Sequence, residues 1–324
     1  MKKFTWILAV ALLSVLAIGV QTSHTQAPVV APPGTPAWAF AVADPVQPPD
    51  PDPAEQVRIP GSNRTVTRAQ LDDLFNAVDW FPDAHAPAPE IVMKGRPPAA
   101  MACGVCHLMS GMGHPESSDL AGLPVQYMVN QMNDFKSGAR KDYARMNGIA
   151  QATTEEEWRQ AAEWFSALTP IPWYRVEETD TVPKTRVEGG RGRLPAVGGG
   201  TEPIGNRIIV LPQDVARAEA RDPRIGFVAY VPPGSVAKGQ ALATTGGNGK
   251  TIACSICHGP DLKGVGEIPR LAGGHPNYVA RQLYNFKLGL SNGAAAALMK
   301  PTVANLTDDD ILSLAAYLAS LPVN

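Results

Sequence analysis

The sequence predicts a mainly α-helical protein, two helical domains in tandem joined by an extended connector that is able to hold a short β ribbon. Three observations carry this expectation. The string Cys-x-x-Cys-His occurs twice, at Cys103-Gly104-Val105-Cys106-His107 and at Cys254-Ser255-Ile256-Cys257-His258. The residues behind the two strings match at a constant offset of 151 positions, Cys103 to Cys254. Each copy then closes on a segment that begins like a capped helix and carries apolar residues at helical spacing.

At 324 residues the chain is long enough for two ordinary domains, and 44% hydrophobic against 18% charged residues permits a packed core. The formal net charge is −2, and it becomes −4 once Lys2 and Lys3 are set aside with the first 27 residues. Nothing in this balance forms the basic stripe of a nucleic-acid binder, so no nucleic-acid partner is expected.

In chain order, Met1-Lys2-Lys3, the apolar run from Phe4 to Val20 and the polar stretch ending at Ala27 have the layout of a secretory signal peptide, residues 1–27. The alternative is an uncleaved anchor, since the run approaches the ~20 residues that span a bilayer. Residues 28–66 hold Pro32-Pro33 and Pro48-Pro49-Asp50-Pro51-Asp52-Pro53 and are expected to be a Pro-rich tether or a wrapping arm. The first helical domain spans 67–170. It opens with a capping box, Thr67-Arg68-Ala69-Gln70, followed by an apolar stripe of Leu71, Leu74, Phe75 and Val78, so a short helix is expected to run to Trp80-Phe81-Pro82.

Within the repeat, Leu120-Ala121-Gly122 matches Leu271-Ala272-Gly273, Tyr127 matches Tyr278, Gln131 matches Gln282, Phe135-Lys136 matches Phe286-Lys287, and Gly138 matches Gly289. Two extra residues then enter the second copy, so that Met146 stands opposite Met299 and Thr154 opposite Thr307. Thr154-Glu155-Glu156-Glu157 and Thr307-Asp308-Asp309-Asp310 each place a hydroxyl N-cap before acids that face the positive end of the helix dipole. Between the copies, residues 171–234 form a connector with two β-prone runs, Arg207 to Leu211 and Phe227 to Val231, and a helical turn within Pro212 to Ala220. The second domain spans 235–324.

All four cysteines lie in the two motifs. On a helical turn, residues at i, i+3 and i+4 share a face, so two thiols and an imidazole point at one object. The string reads as covalent attachment of a c-type haem, with Cys103 and Cys106, and Cys254 and Cys257, as thioether anchors and His107 and His258 on the iron. Two copies imply two haems per chain. A zinc site would need a fourth ligand, for which only His114 or His275 is near, and a thioredoxin-type pair would need a βαβ surround.

These residues together resemble the class I-like c-type cytochromes, in particular the two-haem proteins of the cytochrome c4 group. The resemblance rests on Cys254 to Gly259, Leu271-Ala272-Gly273, Tyr278, Gln282, Phe286, Gly289 and Met299, and on their counterparts from Cys103 to Leu168; it covers about half of the chain. It implies compact helical domains in which histidine and methionine hold the iron from opposite sides. The spacing agrees, with His107 and Met146 39 positions apart and His258 and Met299 41 apart, each methionine in a loop before a capped helix. In the first copy Met109, Met112, Met128 and Met132 compete with Met146, while Met299 stands alone in the second. His114 and His275 read as surface or second-layer groups and His85 as a loop residue. The family also implies a proline carbonyl behind the ligand histidine; Pro269 stands there in the second copy and Ser118 in the first, from which a difference in reduction potential between the haems is expected.

The function implied is single-electron transfer and not catalysis, since a six-coordinate iron leaves no open position. The redox partners expected are a donor and an acceptor such as a terminal oxidase, another cytochrome or a dehydrogenase. Because the family attaches its haem outside the cytoplasm, the protein is expected in the periplasm, free or anchored in the inner membrane by its first segment. The alternatives are a dihaem peroxidase of the bacterial type and a cytochrome subunit of a dehydrogenase, docked through residues 28–100 or the connector with Trp38, Trp80 and Trp173 exposed.

Overall fold

The computed structural model describes residues 31–40, 42–142 and 144–323; the expected signal segment lies outside them. Among the described residues no helix is long and apolar enough to cross a membrane. Two runs of helices follow the repeat. The first is Cys103–His107, Val125–Ser137, Met146–Ala152 and Glu155–Ser166; the second is Ser255–His258, Pro276–Lys287, Ala296–Val303 and Asp308–Ser320.

Both closing helices start on reciprocal capping boxes. Thr154 Oγ1 accepts the Glu157 N–H at 3.3 Å while Glu157 accepts the Thr154 N–H at 2.7 Å, and Thr307 with Asp310 repeats this at 3.3 and 2.8 Å. Their apolar faces are buried, through Trp158, Ala162 and Phe165 in one and Ile311, Leu312, Ala315 and Ala316 in the other. In the second domain an opening helix, Ser235–Thr245, crosses the closing one at Gly239, where a Cβ would overlap the Ser313 carbonyl oxygen. The two backbones approach that closely only because glycine is there.

The first domain lacks so long an opening helix. The helix expected from Thr67 to Trp80 is one turn, Arg68–Leu71. Its capping box forms, but Asp73 Oδ1 then accepts the Phe75 N–H at 2.8 Å, a local turn that competes with the helical ladder. Both axial-ligand candidates are also in short helices, not loops: Met146 opens Met146–Ala152 and Met299 lies inside Ala296–Val303.

The stretch expected as a Pro-rich tether is packed where it is described. Trp38, Ala39 and Phe40 enter the main core beside Leu283 and Tyr284, Asn277 Nδ2 donates to the Trp38 carbonyl at 3.2 Å, and Gln56–Val57 pairs antiparallel with Val66–Thr67. An apolar Trp-Ala-Phe run between prolines has surface to bury, and a single 3-10 turn, Ala37–Ala39, delivers it. Trp38, Trp80 and Trp173 are 8%, 1% and 2% exposed, so the docking face imagined from them is part of the interior.

In the connector, Ile209–Pro212 pairs antiparallel with Phe227–Val231, as the two β-prone runs predict. A third strand, Tyr174–Glu178, adds parallel to Phe227–Val231, and two small ribbons follow, Thr181–Pro183 with Thr201–Pro203 and Thr185–Glu188 with Gly192–Pro195. Val210, Phe227, Ala229 and Val231 bury the sheet against the second domain.

The two domains meet along a seam of equivalent positions. Lys141 N–H donates to the Leu290 carbonyl at 2.9 Å and Asn292 N–H to the Ala139 carbonyl at 2.7 Å, which sets Arg140 opposite Ser291, 151 positions on. Arg270 donates to Asp119 at 2.6 Å, itself the 151-offset counterpart, and to the Ala121 and Ala272 carbonyls at 3.3 and 2.7 Å.

Candidate functional site

Each motif helix ends at its histidine because the next residue is left-handed, Leu108 at φ 57° and Gly259 at φ 84°. With ψ at 162° this costs a leucine about 1–3 kcal/mol, which the burial of Leu108 at 4% exposure offsets. The loops that follow make the same bonds. Gly113 N–H donates to the His107 carbonyl at 2.9 Å and Gly264 N–H to the His258 carbonyl at 2.8 Å, while Leu120 bonds back to Gly111 and Leu271 to Leu262.

That loop orients the imidazole. His107 Nδ1 lies 2.8 Å from the Ser118 carbonyl oxygen and His258 Nδ1 2.8 Å from that of Pro269. A carbonyl only accepts, so each Nδ1 carries the proton and each Nε2 presents a lone pair. Burial pushes both imidazoles below their ordinary pKa, partly offset by these bonds, and a neutral ring is the form that binds iron. The serine in the first copy is therefore no departure: the bond is made by backbone, and the argument for unequal potentials from Ser118 loses its ground.

In the first domain Cys103, Cys106, His107 and Met146 line one cavity of about 580 Å³. The connector closes part of it, through Leu194, Val210, Arg221 and Phe227. Met128 and Met132 line it too. Met109 and Met112 do not: both are buried, Met109 with its sulfur against Gly104. In the second domain His258 is 8% exposed, Cys254 is half-buried, and Met299 and Cys254 each pack against the main core.

The thiols fit attachment better than thiol redox chemistry. Burial pushes Cys103 up to about 12 and Cys254 to about 11, the reverse of the lowered pKa that a reactive dithiol needs. Among the described residues no group of three His, Cys, Asp or Glu side chains forms a metal-ion cage. A cavity within the size range of cofactor pockets, two thiols and an oriented neutral imidazole at its wall together fit a haem.

His275 is not a surface group. It is fully buried at the seam, its Nδ1 3.0 Å from the His114 carbonyl and its ring edge-on to Tyr174 at 5.0 Å. His85 likewise packs edge-on to Trp164 at 5.1 Å.

The copies differ sharply in cover. Val105 is 4% exposed and Ile256, its counterpart, 73%. In the first copy the segment around Ala77 and Val92 lies on the motif helix, where a Cβ on Gly104 would meet the Ala77 Cβ at 3.0 Å and the Val92 carbonyl at 3.1 Å. Among the described residues nothing comparable covers Ile256, and Cys257 beside it is exposed.

Fold, motif helices and proximal bonds define a c-type cytochrome, a haem protein of electron transfer. The cytochrome c family model matches residues 236–322. A thiosulfate dehydrogenase electron acceptor from Stutzerimonas stutzeri (strain A1501) is 37% identical over 231 residues, 70% of this chain and 82% of the relative. Cytochrome c4 from Azotobacter vinelandii is 24% identical over 251 residues, 74% of this chain and 91% of the relative. Among solved structures, thiosulfate dehydrogenase (TsdBA) from Marichromatium purpuratum matches with a TM-score of 0.51 at 25% identity, over 72% of this chain and 39% of that one. The chain belongs to the c-type cytochromes and resembles the cytochrome c4 group.

Proposed function

We propose that the protein is a periplasmic dihaem carrier that accepts electrons from a thiosulfate-oxidising dehydrogenase and passes them singly to a further redox protein. Bound haem supplies a one-electron ferric/ferrous couple at each site. Cys103 and Cys106, and Cys254 and Cys257, would anchor the two groups, and His107 with Met146 and His258 with Met299 would hold the two irons. A thioether and an imidazole together would favour the ferrous state and leave no position for peroxide.

The observation that carries this reading is the equality of the two proximal sides. His107 and His258 are held by the same bond at the same length, 2.8 Å, in loops tied to each other through Asp119 and Arg270. Two like proximal sides joined across one seam suit electron passage between two sites. The relatives' names support the donor. The bare second motif supports docking there: Ile256, between its two cysteines, is 73% exposed, an apolar side chain open to a partner.

The test is stopped-flow reduction of the exported holoprotein by thiosulfate with catalytic thiosulfate dehydrogenase. Full reduction of two low-spin haems is expected. A high-spin ferric site with rapid peroxide turnover would move the reading to the peroxidase, and no reduction by the dehydrogenase would remove this donor.

A further inference from the structure

Asp142 and Asn147 flank Met146, four positions before it and one after. One oxygen of Asp142, Oδ2, accepts both the Arg145 N–H and the Met146 N–H at 2.8 Å. These are donors of a first helical turn, which have no acceptor within the helix and bond strongly to a carboxylate. Asn147 makes three bonds. Its Oδ1 accepts the Asp142 N–H at 2.6 Å, and its Nδ2 donates to the Phe135 carbonyl at 2.7 Å and the Arg140 carbonyl at 2.9 Å. Together the two side chains hold the backbone on both sides of Met146 to itself and to the last turn of Val125–Ser137.

The Met146 side chain leaves this frame to pack with Phe135, Ala150 and Trp158, and it shares the cavity wall with Cys103, Cys106 and His107. Met128 and Met132 line the same cavity from within Val125–Ser137, where the helix itself fixes their backbone. Met146 opens its helix and depends on the loop before it. The second copy is built otherwise. Ala295 and Lys300 stand four before and one after Met299, both exposed, and neither side chain can accept an N–H. The helix Ala296–Val303 starts on backbone bonds instead, the Ala296 N–H donating to the Gly293 carbonyl at 2.9 Å.

We propose that Asp142 and Asn147 are positioning residues for Met146, fixing the main chain around it so that its thioether is presented to the haem attached at Cys103 and Cys106. Groups that orient a metal ligand set how firmly it binds, and losing one typically costs about 10–100-fold. The two proximal sides are alike, so the sites differ on the methionine side: side chains hold the first methionine in place, and a helix alone holds the second. The inference rests on the two-haem, His/Met reading. That reading fails separately, if the wild-type protein carries fewer than two haems per chain in a pyridine haemochrome assay or shows no methionine-to-iron charge-transfer band.

The test compares the ferric holoprotein and its variants by that far-red band, by electron paramagnetic resonance and by spectroelectrochemical titration. Asn147→Ala and Asp142→Ala are expected to keep two haems but lose about half of the band, the share of one haem in two, with high-spin ferric signal appearing. One midpoint is expected to fall by about tenfold in the ferric-to-ferrous ratio, ~59 mV for one electron, and the other to stay. Asp142→Asn keeps an oxygen that accepts the two N–H groups and is expected to retain the full band. Lys300→Ala, at the matching place in the second copy, is expected to change neither band nor midpoints. A full band with both midpoints unchanged in a folded two-haem Asn147→Ala protein overturns the proposal. Where that variant does not fold, the same result in Asp142→Ala overturns it, as does an equal loss in Lys300→Ala.

Discussion

Replacing Arg270 by methionine tests the seam between the domains. The Arg270 guanidinium lies 2.6 Å from Asp119, with side chains 6% and 11% exposed, so water screens the pair little. The same guanidinium donates to the Ala121 and Ala272 carbonyls. Removing it leaves a buried carboxylate without its counter-charge, which costs about 3–5 kcal/mol. For a protein of this size the lower figure corresponds to a fall in Tm of about 4–5 °C. The assay is thermal and urea unfolding of the holoprotein followed by far-ultraviolet circular dichroism and Soret absorbance. The double variant Asp119→Leu with Arg270→Met, which buries no charge, is expected to recover most of the loss. A single variant costing less than about 1 kcal/mol, or a double variant no better than the single, would refute the reasoning.

Three further outcomes are expected. Ser118→Ala leaves the visible spectrum and both midpoints unchanged, because His107 is held by the carbonyl and not the side chain; a shifted midpoint would contradict this. Asp310, 1% exposed, would have its pKa raised by burial alone, but bonds from Lys238, Lys250 and Thr307 hold it well below the carboxylate range. Its stabilisation, about 2 kcal/mol, is then complete above the unfolded value of ~3.9 and lost as pH falls from there toward the folded one. Acid unfolding of wild type against Asp310→Asn checks this, the variant losing that part of the pH dependence. Ile256→Glu, at a 73% exposed position, should change stability by less than about 0.5 kcal/mol while slowing reduction by the donor at least tenfold; equal rates would exclude the second motif as the docking face.

What local spacing determines was legible in the sequence. The motif helices and the Thr154 and Thr307 capping boxes depend on residues a few positions apart, and the 209–212 and 227–231 runs each show as β-prone stretches that then pair with each other. The overlong first helix is a local error that Asp73 could have corrected, since Asp after a short apolar run readily takes a backbone N–H two residues on. Long-range packing was not legible. The Tyr174–Glu178 strand is charged and half-exposed, and it is a strand only because Phe227–Val231 offers an edge. His275 is surrounded by glycine and proline in sequence and reads as surface, yet the other domain's His114 covers it. Arg140 carries no distinguishing spacing in the sequence, and only the structure sets Gln282 and Tyr278 of the second domain beside it.

The most direct test of the central claim is a count of electrons. In an anaerobic titration of the exported holoprotein with thiosulfate and catalytic thiosulfate dehydrogenase, Soret and α-band changes are followed to completion. Two electrons are expected to be taken up per chain, with both haems low-spin throughout. Uptake of one electron, or a haem that stays ferric and high-spin, would contradict it.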